Sequence, residues 1–305
     1  SRAMRIHLGP GHDDHLATAI VEGGGTLAEL DDADALVWDG GPDDFPKGLP
    51  DHIRWVQLTY AGIEPFFRAG LIDDRRIWAN ASGVYADNVA EYAVAGLLVG
   101  LRQFHSSLAA TTWQKDEIDP RVRTLHGSTV AIVGCGGIGR AMIPRLHALG
   151  VEVVAVNRSG RPVDGAKITL PSTRTAEVWS MADHFVIAAP ATGETDRLVD
   201  AAVLEAMPDT AWLVNVARGN LVDTDALVDA MRAGKIAGAV LDVTDPEPLP
   251  DGHLLWALDN VVITPHIANT RSHLTANFAP TLRENVRRFI AGEELLAQVE
   301  PNAGY

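Results

Sequence analysis

Short apolar runs, each closed by Gly, Pro, Asp or Asn, alternate along the chain with segments of helical spacing. In the first part, Arg5–Leu8, Ala35–Trp38, Trp55–Leu58 and Ile77–Ala79 read as strands. Asp13–Val21 reads as a helix, ended by Gly23-Gly24-Gly25. Strands alternating with short helices predict a parallel sheet covered on both faces. Asn88 to about Ala110 predicts one long helix, with Asn88 as N-cap and Glu91 completing a capping-box signal. The polar stretch Trp113–Leu125 predicts an irregular connector. The rhythm then resumes. Val130–Val133, Val151–Val156, His184–Ala188, Ala211–Asn215, Ala237–Asp242 and Val261–Thr264 are strand candidates. Between them a helix capped by Thr224 and closed by Gly234 stands out, and Thr281–Ile290 predicts a last helix. The pattern predicts two α/β domains: residues 1–87 joined by 270–305, and residues 88–269.

One junction carries chemistry. Gly134-Cys135-Gly136-Gly137-Ile138-Gly139 is a G-x-G-x-x-G element with a strand before it and a helical pattern after it. In that context the first glycine permits a tight turn, the second admits a pyrophosphate, and the third lets helix and sheet pack closely. The free N–H groups and dipole of the helix start favour the phosphate charge. A dinucleotide is therefore expected. An NAD site places an Asp or Glu about 20 residues on, to bind the ribose 2′-hydroxyl. Here the second strand ends in Asn157-Arg158-Ser159-Gly160-Arg161, without a carboxylate. A guanidinium suits a 2′-phosphate, so NADP(H) is expected as the preferred cofactor, with NAD(H) also possible.

Three later segments each place a reactive group just past a predicted strand. They are Arg218 in NVARG, Asp242 to Glu247 in DVTDPEP, and His266 in TPHIA. Ligands of open α/β sheets lie outside the carboxyl ends of the strands. Arginine suits a substrate carboxylate, histidine suits proton transfer, and a carboxylate orients a histidine and favours its charged form. Hydride addition to a ketone needs that proton, and a nearby cation stabilises the developing oxyanion.

The bulk numbers narrow the partners. The 305 residues carry a net charge of −15, which argues against nucleic acid or an anionic membrane. Cys135 is the one cysteine, so no internal disulfide forms and a reducing compartment, the cytoplasm, is expected. No metal site is expected. His12-Asp13-Asp14-His15 reads as a solvated helix start, with acids near the positive dipole end.

Taken together, Val130–Arg140, Asn215–Asp223, Asp242–Leu249 and Thr264–Ala268 resemble the D-isomer-specific 2-hydroxyacid dehydrogenase family. Asn88–Tyr92 is similar to the start of that family's interdomain helix, and Gln57–Glu64 to its substrate loop. The resemblance implies two Rossmann-like parallel-sheet domains, a substrate domain and a dinucleotide-binding domain, with an active-site cleft between them. It implies catalytic roles for Arg218, Glu247 and His266, with Arg218 holding the substrate carboxylate beside the N–H groups near Ala61 and Gly62. Gly137 and Ile138 would lie under the pyrophosphate. Arg158 and Ser159 correspond to the 2′-phosphate segment of the family's NADPH-preferring glyoxylate/hydroxypyruvate reductases. Pro190, Val216, Ala217 and Asp242 correspond to positions along the ribose and nicotinamide. The implied function is reduction of small 2-oxo acids to D-2-hydroxy acids by a homodimer. Formate- or phosphite-type dehydrogenases and a dinucleotide-sensing corepressor are the alternatives on the same scaffold. Two departures stand out: Leu254 replaces a frequent proline, and Ala188–Thr192 is smaller than the usual segment.

Overall fold

The computed structural model describes residues 2–302, apart from the side chain of Arg271. The chain divides into two compact units, Ser1–Tyr85 with Thr270–Tyr305, and Ala86–Asn269.

The first unit is built on β1 (Arg5–Gly9), β2 (Thr26–Leu27), β3 (Ala35–Trp38), β4 (Trp55–Leu58) and β5 (Ile77–Ala79). All pair in parallel, in the order β2-β1-β3-β4-β5, a doubly wound arrangement. Strands β3 and β4 are buried along their whole length. Both sheet faces are covered, which is why these strands read as unbroken apolar runs. On one face pack Leu16 and Ile20 of the helix Asp14–Glu22 with Phe278, Leu282 and Val286 of the helix Leu274–Ala291. On the other pack Phe45, Ile53, Phe66 and Trp78. Asp13 caps the first helix through the Leu16 N–H at 3.0 Å. Buried Gln57 of β4 accepts from Asn285 at 2.9 Å, which ties the C-terminal helix to this sheet.

The C-terminal helix is longer than the Thr281–Ile290 expected and contains Pro280. Its apolar face stays in register across the proline, so packing overrides the local breaker. Strand β2 was not expected; its two residues are exposed and carry no apolar run.

The second unit is built on seven parallel strands: β6 (Thr129–Val133), β7 (Glu152–Asn157), β8 (Ile168–Pro171), β9 (His184–Ile187), β10 (Trp212–Asn215), β11 (Gly238–Leu241) and β12 (Val261–Ile263). Their order is β12-β11-β10-β9-β6-β7-β8. The chain runs one way from β6 to β8, then returns and builds outward from β9. The reversal between β6 and β9 is the switch point beside which open α/β sheets bind ligands. Edge strand β8 was also not expected, because only Leu170 in it is buried.

Two expectations for this unit need correction. The helix starting near Asn88 runs Ala86–Leu101, breaks at Gln103 (φ 59°) and resumes as Phe104–Ala109. Asn88 therefore lies inside the helix and is not its cap. Gly100 lies against Trp212 of β10, where a Cβ would sit 2.4 Å from the indole. Beyond the break Phe104 and Leu108 are exposed, while His105 packs edge-on against Trp212. The helix Thr224–Arg232 is capped by Asp223, which accepts from the Ala226 N–H at 3.1 Å, and not by Thr224.

Candidate active site

All seven strands of the second unit are parallel, so every turn after a strand emerges at one edge of the sheet. The glycine fingerprint follows β6. Gly134 has φ 88°, and a Cβ there would sit 2.2 Å from Ala189 Cα, in the segment that follows β9. The turn thus closes directly onto the switch point, and only glycine fits it. Gly134 and Cys135 both donate to the Val156 carbonyl, at 2.9 and 2.7 Å. Gly139 packs on Cys135 and Ile132, where a Cβ would meet the sulfur at 2.5 Å. Gly136 faces open space, with no atom within 4 Å of where its Cβ would be. It precedes the helix Gly137–Ala148, whose start no side chain caps. First-turn N–H groups have no partner inside a helix. Those of Gly137, Ile138 and Gly139 therefore offer donors beside an open glycine face, and this donor set fits a dinucleotide pyrophosphate.

Past β7, Asn157 Oδ1 accepts from the Gly160 N–H at 2.7 Å and Asn157 Nδ2 donates to the Arg161 carbonyl at 2.9 Å. Both ends of the Asn157 amide are spent on shaping this turn. Ser159 Oγ accepts from the Arg161 N–H at 3.1 Å. The turn presents Arg158, Ser159 and Arg161 to solvent.

The three reactive groups follow β10, β11 and β12, which are adjacent in the sheet. Arg218 is displayed by a turn that buried Asn215 organises. Asn215 Oδ1 accepts from the Ala217 N–H and Asn215 Nδ2 donates to the Arg218 carbonyl, both at 3.0 Å. Arg218 Nη1 donates to the Ala217 carbonyl at 2.8 Å. Gly219 then passes so close to the next loop that a Cβ would lie 1.9 Å from the Thr244 carbonyl oxygen. In that loop Glu247 Oε1 accepts from the Thr244 N–H at 3.2 Å. Glu247 Oε2 lies 2.9 Å from His266 Nδ1. With Nδ1 engaged, Nε2 is the ring nitrogen left for a substrate. The His266 and Glu247 side chains are 52% and 40% exposed. An ion pair so exposed contributes only about 0–1 kcal/mol to stability. The pairing fixes the ring orientation and tautomer more than it holds the fold together.

Asp242, expected along the cofactor, directly follows β11. It is 2% exposed. Its Oδ1 accepts from the Thr264 hydroxyl and the Ile267 N–H, both at 2.7 Å, and its Oδ2 accepts from the Ala268 N–H at 3.0 Å. The carboxylate clamps the turn that carries His266. Val216 and Ala217 are also buried, at 8% and 7%, and the Val216 N–H bonds to the Ile187 carbonyl. Pro190 is exposed, and its carbonyl accepts from Thr195 Oγ1 at 2.7 Å.

In the first unit, Ala61 and Gly62 follow β4. The Ala61 carbonyl accepts from Asn80 at 3.4 Å, and the Tyr60 carbonyl from the Ala81 N–H at 2.9 Å, which pins the loop. Ala61 is exposed and Gly62 half-buried. Tyr85 donates to the Thr59 carbonyl at 3.0 Å and Thr59 to Asp39 at 2.7 Å, so the loop base is rigid.

Sequence reasoning missed Asn215, Thr264 and Tyr92 as organisers of these turns. Asn215 ends a strand inside a quoted motif, and a buried amide at that place is the signal that could have found it. Tyr92 Oη lies 2.5 Å from Thr264 Oγ1, a pairing across 172 positions that no local pattern reveals.

Comparison with known proteins agrees with this geometry. Residues 92–268 match the family described as D-isomer specific 2-hydroxyacid dehydrogenase, NAD binding domain. A Corynebacterium melassecola protein, described as an uncharacterized protein in proB 3'region, is 44% identical over 94% of this chain and 96% of its own. The Homo sapiens glyoxylate reductase/hydroxypyruvate reductase is 36% identical, over 77% of this chain and 69% of its own. The crystal structure of a D-isomer specific 2-hydroxyacid dehydrogenase from Xanthobacter autotrophicus Py2, in complex with NADPH and MES, is 26% identical with a TM-score of 0.83 and covers both chains fully. No helix among the described residues is long and apolar enough to cross a membrane. Two parallel-sheet α/β units, a nucleotide fingerprint at a switch point and matches over most of the length lead to one conclusion: the chain belongs to the D-isomer specific 2-hydroxyacid dehydrogenase family.

Proposed function

We propose that this enzyme reduces small 2-oxo acids of the glyoxylate and hydroxypyruvate kind to D-2-hydroxy acids, with NADPH preferred and NADH accepted. The observation that carries the reading is the His266–Glu247 pair at 2.9 Å, beside the Arg218 turn on the adjacent strands β10 to β12. When bound, a dihydronicotinamide supplies the hydride for the carbonyl carbon. Glu247 accepts a hydrogen bond from Nδ1–H of His266, so the charged ring delivers the proton of Nε2 to the carbonyl oxygen and is left neutral with Nδ1 still protonated. The Thr244 N–H holds Glu247 in turn. Arg218 binds the carboxylate through its guanidinium fork and places a cation near the developing oxyanion. We assign the N–H groups of Ala61 and Gly62, in the loop after β4, to substrate binding. The first-turn N–H groups of Gly137, Ile138 and Gly139 take the pyrophosphate, across the open face of Gly136 and the turn of Gly134. Backbone edges of Pro190, Val216 and Ala217 border the remainder of the dinucleotide, and Asp242 serves it through the turn it clamps.

Oxidation of NADPH measured with 2-oxo acids of increasing chain length tests the reading. Glyoxylate and hydroxypyruvate should turn over fastest. Failure to oxidise NADPH or NADH with every 2-oxo acid would overturn it.

NADPH preference is supported by Arg158 and Ser159 at the exposed turn after β7, where an acid would repel a 2′-phosphate. Asn157 shapes that turn. Arg158→Asp should raise the KM for NADPH about tenfold, the size of a lost charged hydrogen bond, and leave that for NADH nearly unchanged. Equal effects on the two cofactors would remove the assignment. Exposed Phe104, Leu108 and Trp113, the last 92% exposed, support a homodimer that covers this arm. The buried lone thiol of Cys135 supports a cytoplasmic setting.

A further inference from the structure

A relay of hydrogen bonds runs from the helix Ala86–Leu101 to the turn that carries His266. Tyr92 Oη lies 2.5 Å from Thr264 Oγ1, which lies 2.7 Å from Asp242 Oδ1. The acceptors dictate where the protons point. As a carboxylate, Asp242 only accepts, and its oxygens already take the N–H groups of Ile267 and Ala268. Thr264 therefore donates to Asp242, and its oxygen is left to accept from Tyr92. Burial pushes the Tyr92 phenol up to about 12, so it stays a donor through neutral pH.

What this relay holds is an unusual piece of backbone. His266 has φ 54°, a left-handed conformation outside glycine. Such residues persist only where their surroundings hold them. The His266 N–H is shared between the Asp242 and Thr264 carbonyls, at 2.9 Å each. Thr264 thus grips the turn twice, through its hydroxyl to Asp242 and through its carbonyl to His266. A freed Thr264 rotor would loosen the first of these grips.

We infer that Tyr92 and Thr264 are positioning residues of the reaction: they lock the Asp242 clamp and through it aim the His266 ring at Glu247 and the substrate oxygen. The inference rests on His266 being the proton donor. Tyr92→Phe removes one oxygen and keeps the ring. It should lower kcat for 2-oxo acid reduction on the order of tenfold, as slight misplacement of a reacting group does, with the KM for NADPH unchanged. Thr264→Val should give a similar loss, and Thr264→Ser should restore most of it. The double variant Tyr92→Phe/Thr264→Val should be no worse than Thr264→Val alone, because linked groups act as a unit. Wild-type kcat in Tyr92→Phe would overturn the inference. So would losses that multiply in the double variant, or a KM change as large as the kcat change. If Thr264→Val does not fold, Tyr92→Phe and Thr264→Ser still decide. His266→Asn separates the two readings. Normal turnover there sinks the proton-donor role and the relay with it, whereas a turnover lost in His266→Asn but kept in Tyr92→Phe removes the relay alone.

Discussion

Replacing His266 with asparagine should lower kcat for 2-oxo acid reduction by about 10²–10⁴-fold, the range that a positioned general acid supplies. Asparagine is the informative replacement because His266 sits at φ 54°. Asparagine tolerates that left-handed conformation better than alanine does. The loss then reports the imidazole and not a collapsed turn. The variant should melt close to the parent. The side chain is half exposed, and its pairing with Glu247 is worth about 0–1 kcal/mol to the fold. NADPH binding, followed by its fluorescence, should be retained, since the fingerprint turn follows β6 and His266 follows β12. Near-normal turnover would refute the proton-donor role. Loss of turnover together with loss of NADPH binding would point instead to a turn that serves the cofactor.

What could be read in the sequence, and what could not, follows from where each signal lives. Strands β3, β4 and β10 are buried on both faces, so their apolar runs announce them. Edge strands β2 and β8 carry mostly exposed or half-exposed residues and leave no such trace. The helix from Ala86 was misjudged in length because it breaks at Gln103, in a left-handed conformation that no local glycine or proline announces. In the second unit, the placement of Arg218, Glu247 and His266 in the turns past three adjacent strands was legible because strands of a parallel sheet end at one edge. Asp242 follows a strand too, yet its side chain turns inward to three donors. Spacing alone cannot separate an acid that meets a ligand from one that ties a loop. The Tyr92–Thr264 pairing is invisible for the same reason, being a product of tertiary packing.

Gly219→Ala should lower kcat/KM on the order of 10²-fold, although the residue offers no functional group. Its added Cβ would lie 1.9 Å from the Thr244 oxygen, 2.0 Å from the Thr244 carbonyl carbon and 2.6 Å from the Asp245 nitrogen. These are backbone atoms, so no side-chain rotation relieves the clash, and either the Arg218 turn or the Thr244–Glu247 loop must move. Both are tied elsewhere. Asn215 holds the first through the Arg218 carbonyl, and Thr224 Oγ1 holds the second through the Asp245 carbonyl at 2.7 Å. Any shift at Thr244 is passed to Glu247, whose carboxylate rests on the Thr244 N–H, and from there to His266. A displacement of about 1 Å in a positioned group is enough for a hundredfold loss. Overpacking should also cost roughly 1–3 kcal/mol of stability, visible as a lower Tm of the folded enzyme. NADPH affinity should hold, because the Gly134–Gly139 turn rests on Ala189 and Val156 and not on this contact. A Gly219→Ala enzyme with parental kcat/KM would show that the arginine and the histidine–glutamate pair keep their aim independently. The close approach of their two loops would then be packing alone.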